Sequence, residues 1–240
     1  MSPDTIRIAS YNIRKARGLD QRRDPGRVLD IINDLGADIV VLQEADLRLG
    51  ARKAAIPHWM IAAHSDYRIA PVARNEVSLG WHGNAVLLRP GITVEKITHI
   101  DLPALEPRGA VHLRLGGAAQ VSVVAAHLGL RRRDRLAQQR AVAAHLGAGE
   151  PAIIAGDFNE WSERNGLEVF GARFAIHAPG RSFHALRPIA ALDRIALSPE
   201  VSLYDAGVVE DQRARRASDH LPIWADLRIG PATGIADPTA

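Results

Sequence analysis

The sequence predicts an α/β (α+β) fold in which two mixed β-sheets pack face to face with helices on the outside. Three observations carry this reading. Short apolar runs bounded by turn residues recur along the whole chain, only a few segments have helical periodicity, and most of the apolar runs end in a polar residue. Residues 1–229 read as one domain and residues 230–240, rich in Gly, Pro, Ala and Thr, as a frayed tail.

The elements follow in order. Residues 6–11 alternate as a strand that leads to Asn12, with Ser10 and Asn12 on one face and Tyr11 on the other. Arg14, Lys15 and Arg17 follow in a loop. Residues 25–35 read as a helix capped by Asp24, opened by Pro25 and closed by Gly36. Residues 38–43 form a buried strand that leads to Glu44. Residues 45–65 read as irregular, with a basic patch of Arg48, Arg52 and Lys53. A short strand at 67–71 and a loop at 74–81 come next. Strands at 84–88, 92–100, 110–115 and 120–127 are set off by the turns Pro90-Gly91 and Gly116-Gly117. Residues 134–146 read as a helix and 162–170 as a short one. Strands are expected at 151–156, 190–197, 201–209 and 221–229.

Composition narrows the chemistry. The 240 residues contain no cysteine, which excludes disulfides, Cys-zinc sites, Fe–S clusters and thiol nucleophiles. The hydrophobic share of 47% and charged share of 24% are globular values, so disorder is not expected. The net charge of +3 is carried almost wholly by arginine, whose fork suits phosphate; it permits an anionic substrate without requiring one. There is no signal-peptide pattern at the N-terminus and no apolar run of membrane-spanning length, so a cytoplasmic protein without a transmembrane segment is expected. A monomer is expected.

The most informative stretch is Pro151-Ala-Ile-Ile-Ala-Gly-Asp-Phe-Asn-Glu160. A buried strand ends in two hard oxygen groups, Asp157 and Asn159, which share a face if the chain stays extended. Such groups suit Mg²⁺ or Mn²⁺ and an anionic substrate. The same residues also suit an Asx-turn. Asn12, Glu44, Asn84, His127, Asp193 and the pair Asp219-His220 recur at the ends of other apolar strands. Each has a plain alternative: a turn former, a solvated charge, a hairpin residue, a core histidine or a helix cap. Asp193 is hardest to explain that way, because a carboxylate in an apolar strand is costly unless paired. Arg194 lies on the opposite face, so the partner must come from elsewhere. All of these groups recurring in this order is better explained by one shared site.

Taken in order, Tyr11-Asn12, Gln43-Glu44, Gly83-Asn84, His127, Gly156-Asp-Phe-Asn159, Leu192-Asp-Arg-Ile195 and Ser218-Asp-His220 resemble the motif series of the endonuclease/exonuclease/phosphatase superfamily, with its deoxyribonuclease I-like fold. The resemblance spans residues 6–227. His82-Gly-Asn-Ala-Val-Leu87, Arg108-Gly109 and His127-Leu-Gly-Leu-Arg131 are similar to a bacterial subgroup of small metal-dependent hydrolases. The resemblance implies a four-layer α/β/β/α sandwich and Mg²⁺-dependent (or Mn²⁺-dependent) cleavage of a phosphoester bond. It implies Glu44, Asn12 and Asp219 as metal-site residues, His220 as the catalytic histidine and Asp193 as the carboxylate that orients it. Asp157 and Asn159 match the pair near the attacking water and the scissile phosphate. His127 matches a second histidine found in nuclease and sphingomyelinase branches; abasic-site repair members carry a tyrosine in that region. Asn84 and Arg108 fall where phosphate contacts are expected. The implied partner is a phosphoester substrate, either nucleic acid or a lipid headgroup or small phosphoester. Whether His220 or Asp157 is the general base is left open by the sequence. A catalytically silent binding module with the same fold is the alternative.

Two side-candidates complete the reading. Arg131 to Arg133 with Arg135, and Arg213, Arg215 and Arg216, are arginine clusters that suit either phosphate or ordinary surface pairing. His58-Trp59 and Trp81-His82 suit either base stacking or loop packing.

Overall fold

The computed structural model describes residues 5–230 and consists of two six-stranded sheets. The first contains β1 (Thr5–Asn12), β2 (Ile39–Gln43), β3 (Arg68–Ile69), β4 (Ala85–Leu88), β11 (Val201–Val208) and β12 (Ile223–Ile229), in the order β11-β12-β1-β2-β4-β3. The second contains β5 (Ile92–Leu102), β6 (Arg108–Gly117), β7 (Val121–His127), β8 (Ala152–Asp157), β9 (Ala175–His177) and β10 (Asp193–Leu197), in the order β5-β6-β7-β8-β10-β9. Both are mixed: β1 runs parallel to β2 and β7 parallel to β8, while the other pairs are antiparallel.

Strand alternation assigns each residue to a layer. Ile8, Val41, Val86, Val123, Ala125, Ile153, Ala155, Ile195 and Ala225 point between the sheets and form the central core. Their neighbours point outward. Ala9, Tyr11, Val40, Leu42 and Leu87 meet the flank that holds α1 (Pro25–Asp34), α2 (His58–His64) and α5 (Gln212–Ala217). Val124, Ala126, Ile154 and Ala196 meet the flank of α3 (Arg132–Ala143) and α4 (Glu168–Gly171). Three apolar interfaces separating four layers give the α/β/β/α sandwich the sequence predicts.

The same alternation builds the site. Asn12 continues the inward series of Ile8 and Ser10, His127 that of Val123 and Ala125, and Asp157 that of Ile153 and Ala155. Asp193 shares the inward face of Ile195 and Leu197. His127 pairs with Asp157, and Asp157 with Asp193, across neighbouring strands. The inter-sheet layer therefore turns from apolar to polar at one edge.

The helices differ most from expectation. α1 follows it, and Asp24 accepts from the Arg27 amide as the cap. The 45–65 stretch read as irregular contains α2, which buries only Ile61 among its seven residues and so lacks an apolar stripe. The short helix expected at 162–170 shrinks to α4. Ser162 Oγ accepts the Arg164 and Asn165 amides, a local turn that competes with helix, and Gly166 follows at φ 93°. α3 starts two residues early, at Arg132, and ends at Ala143. β9 and α5 are additional elements, as is a 3₁₀ turn at Arg14–Ala16. Most of the tail reading, 231–240, lies outside the described residues, as does most of the stretch read at the N-terminus (1–4).

Candidate active site

The site forms at the polar edge. Asn12 Nδ2 donates to Asp157 Oδ2 at 3.0 Å, joining β1 of one sheet to β8 of the other. Two histidines approach the same oxygen: His127 Nε2 at 3.4 Å and His220 Nε2 at 3.6 Å. His220 Nδ1 donates to Asp193 Oδ2 at 2.8 Å. Ser182 Oγ donates to that Asp193 oxygen at 2.5 Å, while the other, Oδ1, is buried with no partner among the described residues. Arg194 turns away to the Ala191, Glu160 and Ser162 carbonyls, as the opposite-face argument requires. The His220 ring also packs on Phe183, with centroids 4.9 Å apart.

The loops aim the remaining groups. Ser218, at the end of α5, donates to the Asn12 carbonyl at 2.7 Å and accepts the His220 amide at 3.3 Å, fastening the Asp219-His220 turn to β1. Glu44 leaves β2 at a left-handed φ of 52°. The adjacent Ala45 amide donates to the carbonyl of Gly83, whose left-handed φ of 82° suits glycine behind Glu44. The extended geometry proposed beyond Asp157 does not persist. Asn159 has φ 51° and its amide donates to Asp157 Oδ1 at 2.9 Å, an Asx-turn; Asn159 Nδ2 donates to the Leu128 carbonyl. The turn therefore coexists with the site, occupying one oxygen of Asp157 and leaving the other to the two histidines.

Burial and charge split the two imidazoles. Burial alone would lower His220, but Asp193, Asp157 and Asp219 outweigh it and push it up to about 10. Burial, reinforced by Arg108, His220 and Lys15, takes His127 well below its ordinary value. Burial also pushes Asp157 up to about 6, against the pull of His220 and Asn12. At neutral pH an imidazolium and a neutral imidazole thus stand 3.6 and 3.4 Å from one carboxylate oxygen.

Glu44 and Asp219 sit at the more open side, with 28% and 27% of their side chains exposed. Each faces a basic group from consecutive residues of the 3₁₀ turn: Lys15 meets Glu44, and Arg14 Nε lies 3.4 Å from Asp219. Cationic side chains thus stand against both carboxylates, and with the Asn12 amide oxygen the donors are all hard. That set fits Mg²⁺ or Mn²⁺. The acidic and histidine ligand atoms found within 4.8 Å of one another are those of a different group, Asp157, Asp193 and His220, where His220 and Asp193 already hold each other.

Other expectations lie at varying distance from this centre. Arg108 lines a pocket with Glu44 and His127. Asn84 is fully buried, and its Nδ2 donates to the Gly109 carbonyl at 2.8 Å, tying β4 to β6. Arg135 is buried against Glu160, and Arg213 pairs with Asp34, Arg215 with Glu210. Trp81 packs between His82 and His99, a loop-packing role, whereas Trp59 is exposed. Ser182 and Phe183 carry no sequence signal, because their roles depend on contacts remote in sequence, whereas Ser218 belongs to the Ser218-Asp-His220 motif and fastens its turn. A larger concavity of about 940 Å³, lined by Ile6, Asp38, Arg89 and Ile229 among others, lies at the opposite strand ends and contains none of the residues around Asp157.

This fold and this edge of carboxylates and histidines define a class, and the comparisons agree with it. Residues 9–220 match the Endonuclease/Exonuclease/phosphatase family, and the chain belongs to that family. It is 29% identical to the Escherichia coli (strain K12) protein YbhP over 251 aligned positions, covering 94% of this chain and 97% of YbhP. The endonuclease/exonuclease/phosphatase structure from Beutenbergia cavernae superposes with a TM-score of 0.74 at 21% identity, covering 95% of this chain and 72% of that one. The mannosyl-6-phosphatase of Bacteroides thetaiotaomicron superposes with a TM-score of 0.71 at 20% identity, covering 92% and 99%. These two likenesses establish a shared fold.

Proposed function

We propose that this protein is a divalent-metal-dependent phosphoester hydrolase, with Asp157 as general base and His220, charged at neutral pH, as a partner of the phosphate. The observation that carries the reading is the split between the two histidines at Asp157 Oδ2. A protonated His220 cannot accept a proton from water, and a carboxylate with a pKa near 6 can.

Water is deprotonated by Asp157 as its oxygen bonds to phosphorus and the bond from phosphorus to the leaving oxygen breaks. Displacement in line puts the leaving oxygen opposite the attacking water. His220 Nε2 lies 3.6 Å from the base oxygen, on the side of attack. Its N–H therefore serves the non-bridging oxygens, where negative charge develops. Asp193 fixes the ring through Nδ1 and sustains its charge. Neutral His127 offers a second hydrogen bond beside it, and Asn12 orients Asp157. Glu44, Asn12 and Asp219 would hold Mg²⁺ or Mn²⁺, which when bound neutralises charge on the bridging and leaving oxygens. The substrate carries a phosphodiester or phosphomonoester, from nucleic acid or from a headgroup or small molecule.

The test is turnover of bis(p-nitrophenyl) phosphate and p-nitrophenyl phosphate with Mg²⁺ or Mn²⁺. Activity should disappear with chelator and in Glu44→Ala and His220→Ala. Activity that survives complete metal removal contradicts the proposal. Metal binding with no turnover across nucleic acid, headgroup and sugar phosphates favours the silent binding module.

A further inference from the structure

Beside the candidate active site lies a pocket of about 190 Å³ that the chemistry above does not use. Lys15, Arg48, Arg52, His82 and Arg108 line it, and Glu44 and His127 form the wall it shares with the site. Three carboxylates also border it, Glu44, Asp46 and Glu106, but they leave the arginines poorly satisfied. Glu44 is taken by Lys15. Asp46 accepts the Leu79 amide at 2.6 Å and the Gly80 amide at 3.2 Å. Glu106 is half-exposed and reaches Arg48 and Arg108 only at 3.3 and 3.6 Å, contacts of little strength.

One buried donor and one weakly paired guanidinium are left over. The Arg108 side chain is only 17% exposed, yet its guanidinium makes no hydrogen bond among the described residues. Arg52 Nε is buried without a partner, and Arg52 Nη1 has only His82 Nδ1, at 3.4 Å. Burying the Arg52 donor without an acceptor is unfavourable, and an oxyanion in the pocket would offset that cost while pairing the Arg108 guanidinium. The backbone points the same way. Arg52 and His82 adopt left-handed φ values of 53° and 49°, which side-chain-bearing residues rarely hold and which concentrate at ligand clamps. His82 accepts from Arg52 as a neutral ring, since burial and then Arg52 lower its pKa.

We propose that this pocket is a second anion subsite, built by Arg52, His82 and Arg108, that takes a phosphate group of the substrate other than the one cleaved. Arginine forks suit phosphate. The shared wall of Glu44 and His127 places the second phosphate next to the scissile one. The inference rests on the hydrolase reading, and the test separates the two.

The first arm is calorimetric titration of inorganic phosphate into metal-stripped protein. Arg52→Gln should weaken binding about tenfold or more, and Arg52→Lys less, because it keeps charge but loses the fork. His82→Ala is a second variant if Arg52→Gln does not fold. His220→Ala, which touches only the neighbouring scissile-phosphate position, should weaken phosphate binding less than Arg52→Gln does. Binding lost in His220→Ala and kept in Arg52→Gln overturns the subsite and leaves the hydrolase reading standing. The second arm compares kcat/KM for paired substrates: a dinucleotide with and without a terminal 5′-phosphate, and a sugar bisphosphate against its monophosphate. A second phosphate should raise kcat/KM about tenfold or more in one pair, mainly through KM, and the pair that responds identifies its source. Arg52→Gln should abolish that gain while leaving turnover of the singly phosphorylated partner unchanged. Equal kcat/KM within both pairs, or an equal loss on both members in Arg52→Gln, contradicts the proposal.

Discussion

Asn12 and Asp157, 145 residues apart in sequence, are joined by a 3.0 Å hydrogen bond that spans the two sheets at their polar edge. The bond does two things. It fixes the orientation of the carboxylate between His127 and His220, and it favours the ionised form of Asp157.

Removing it should move a titration. In Asn12→Ala, Asp157 loses a donor that lowers its pKa, so the acid limb of kcat/KM should shift to higher pH. The check is a pH–rate profile of the variant beside the wild type. An unmoved limb would mean that Asn12 does not tune this carboxylate.

The wild-type profile should be bell-shaped. Asp157 must be ionised to act as base, so activity falls as pH drops through about 6. His220 must be protonated, so activity falls again as pH rises through about 10. Asp193→Asn keeps a hydrogen-bonding group but removes the charge that sustains the imidazolium. It should bring the alkaline limb to lower pH and reduce kcat on the order of 10²-fold or more. Steady-state kinetics across pH reads both effects.

His220 also ties stability to pH. Its folded pKa is raised from 6.5 to about 10, so the stability it contributes is fully present below about pH 6.5 and is lost as pH rises through about 10. Thermal unfolding across that window should show Tm falling with pH in the wild type. In His220→Gln this share of the slope should vanish. Equal slopes in the two proteins would remove the charged-histidine assignment.

Lys15 stands against Glu44, where the cation would be held. Lys15→Met removes a competing positive charge. Half-saturation of Mg²⁺, read by calorimetry, should move to lower concentration, whereas Glu44→Gln should raise it. A variant Lys15→Met with weaker Mg²⁺ binding would show that the lysine supports the site instead of competing in it.

The architecture was largely legible because strand alternation is a local signal. The inward series ending in Asn12, His127 and Asp157 can be read two residues at a time, and the sheet-on-sheet packing follows from it. Asp193 drew attention as a charge in an apolar strand, and the structure supplies the partners that argument required, His220 and Ser182. Short helices were harder. α2 buries one residue, and α5 is six residues long, so neither carries a full apolar stripe. The Asx-turn at Asp157 is not an alternative to the site, since Oδ1 serves the turn while Oδ2 serves the site. Ser182 and the Arg52–His82 contact are not legible in the sequence, because serine and arginine carry no positional signal until distant segments bring their partners near.

The most direct test of the central claim is the effect of Asp157→Asn on phosphodiester turnover with Mg²⁺ affinity measured in parallel. Asn keeps the shape and one acceptor but cannot take a proton. With Asp157 as the base, kcat should fall about 10²–10⁴-fold while Mg²⁺ binds nearly as in the wild type. Near-wild-type kcat in Asp157→Asn would contradict the account, since proton removal from water would then belong to another group.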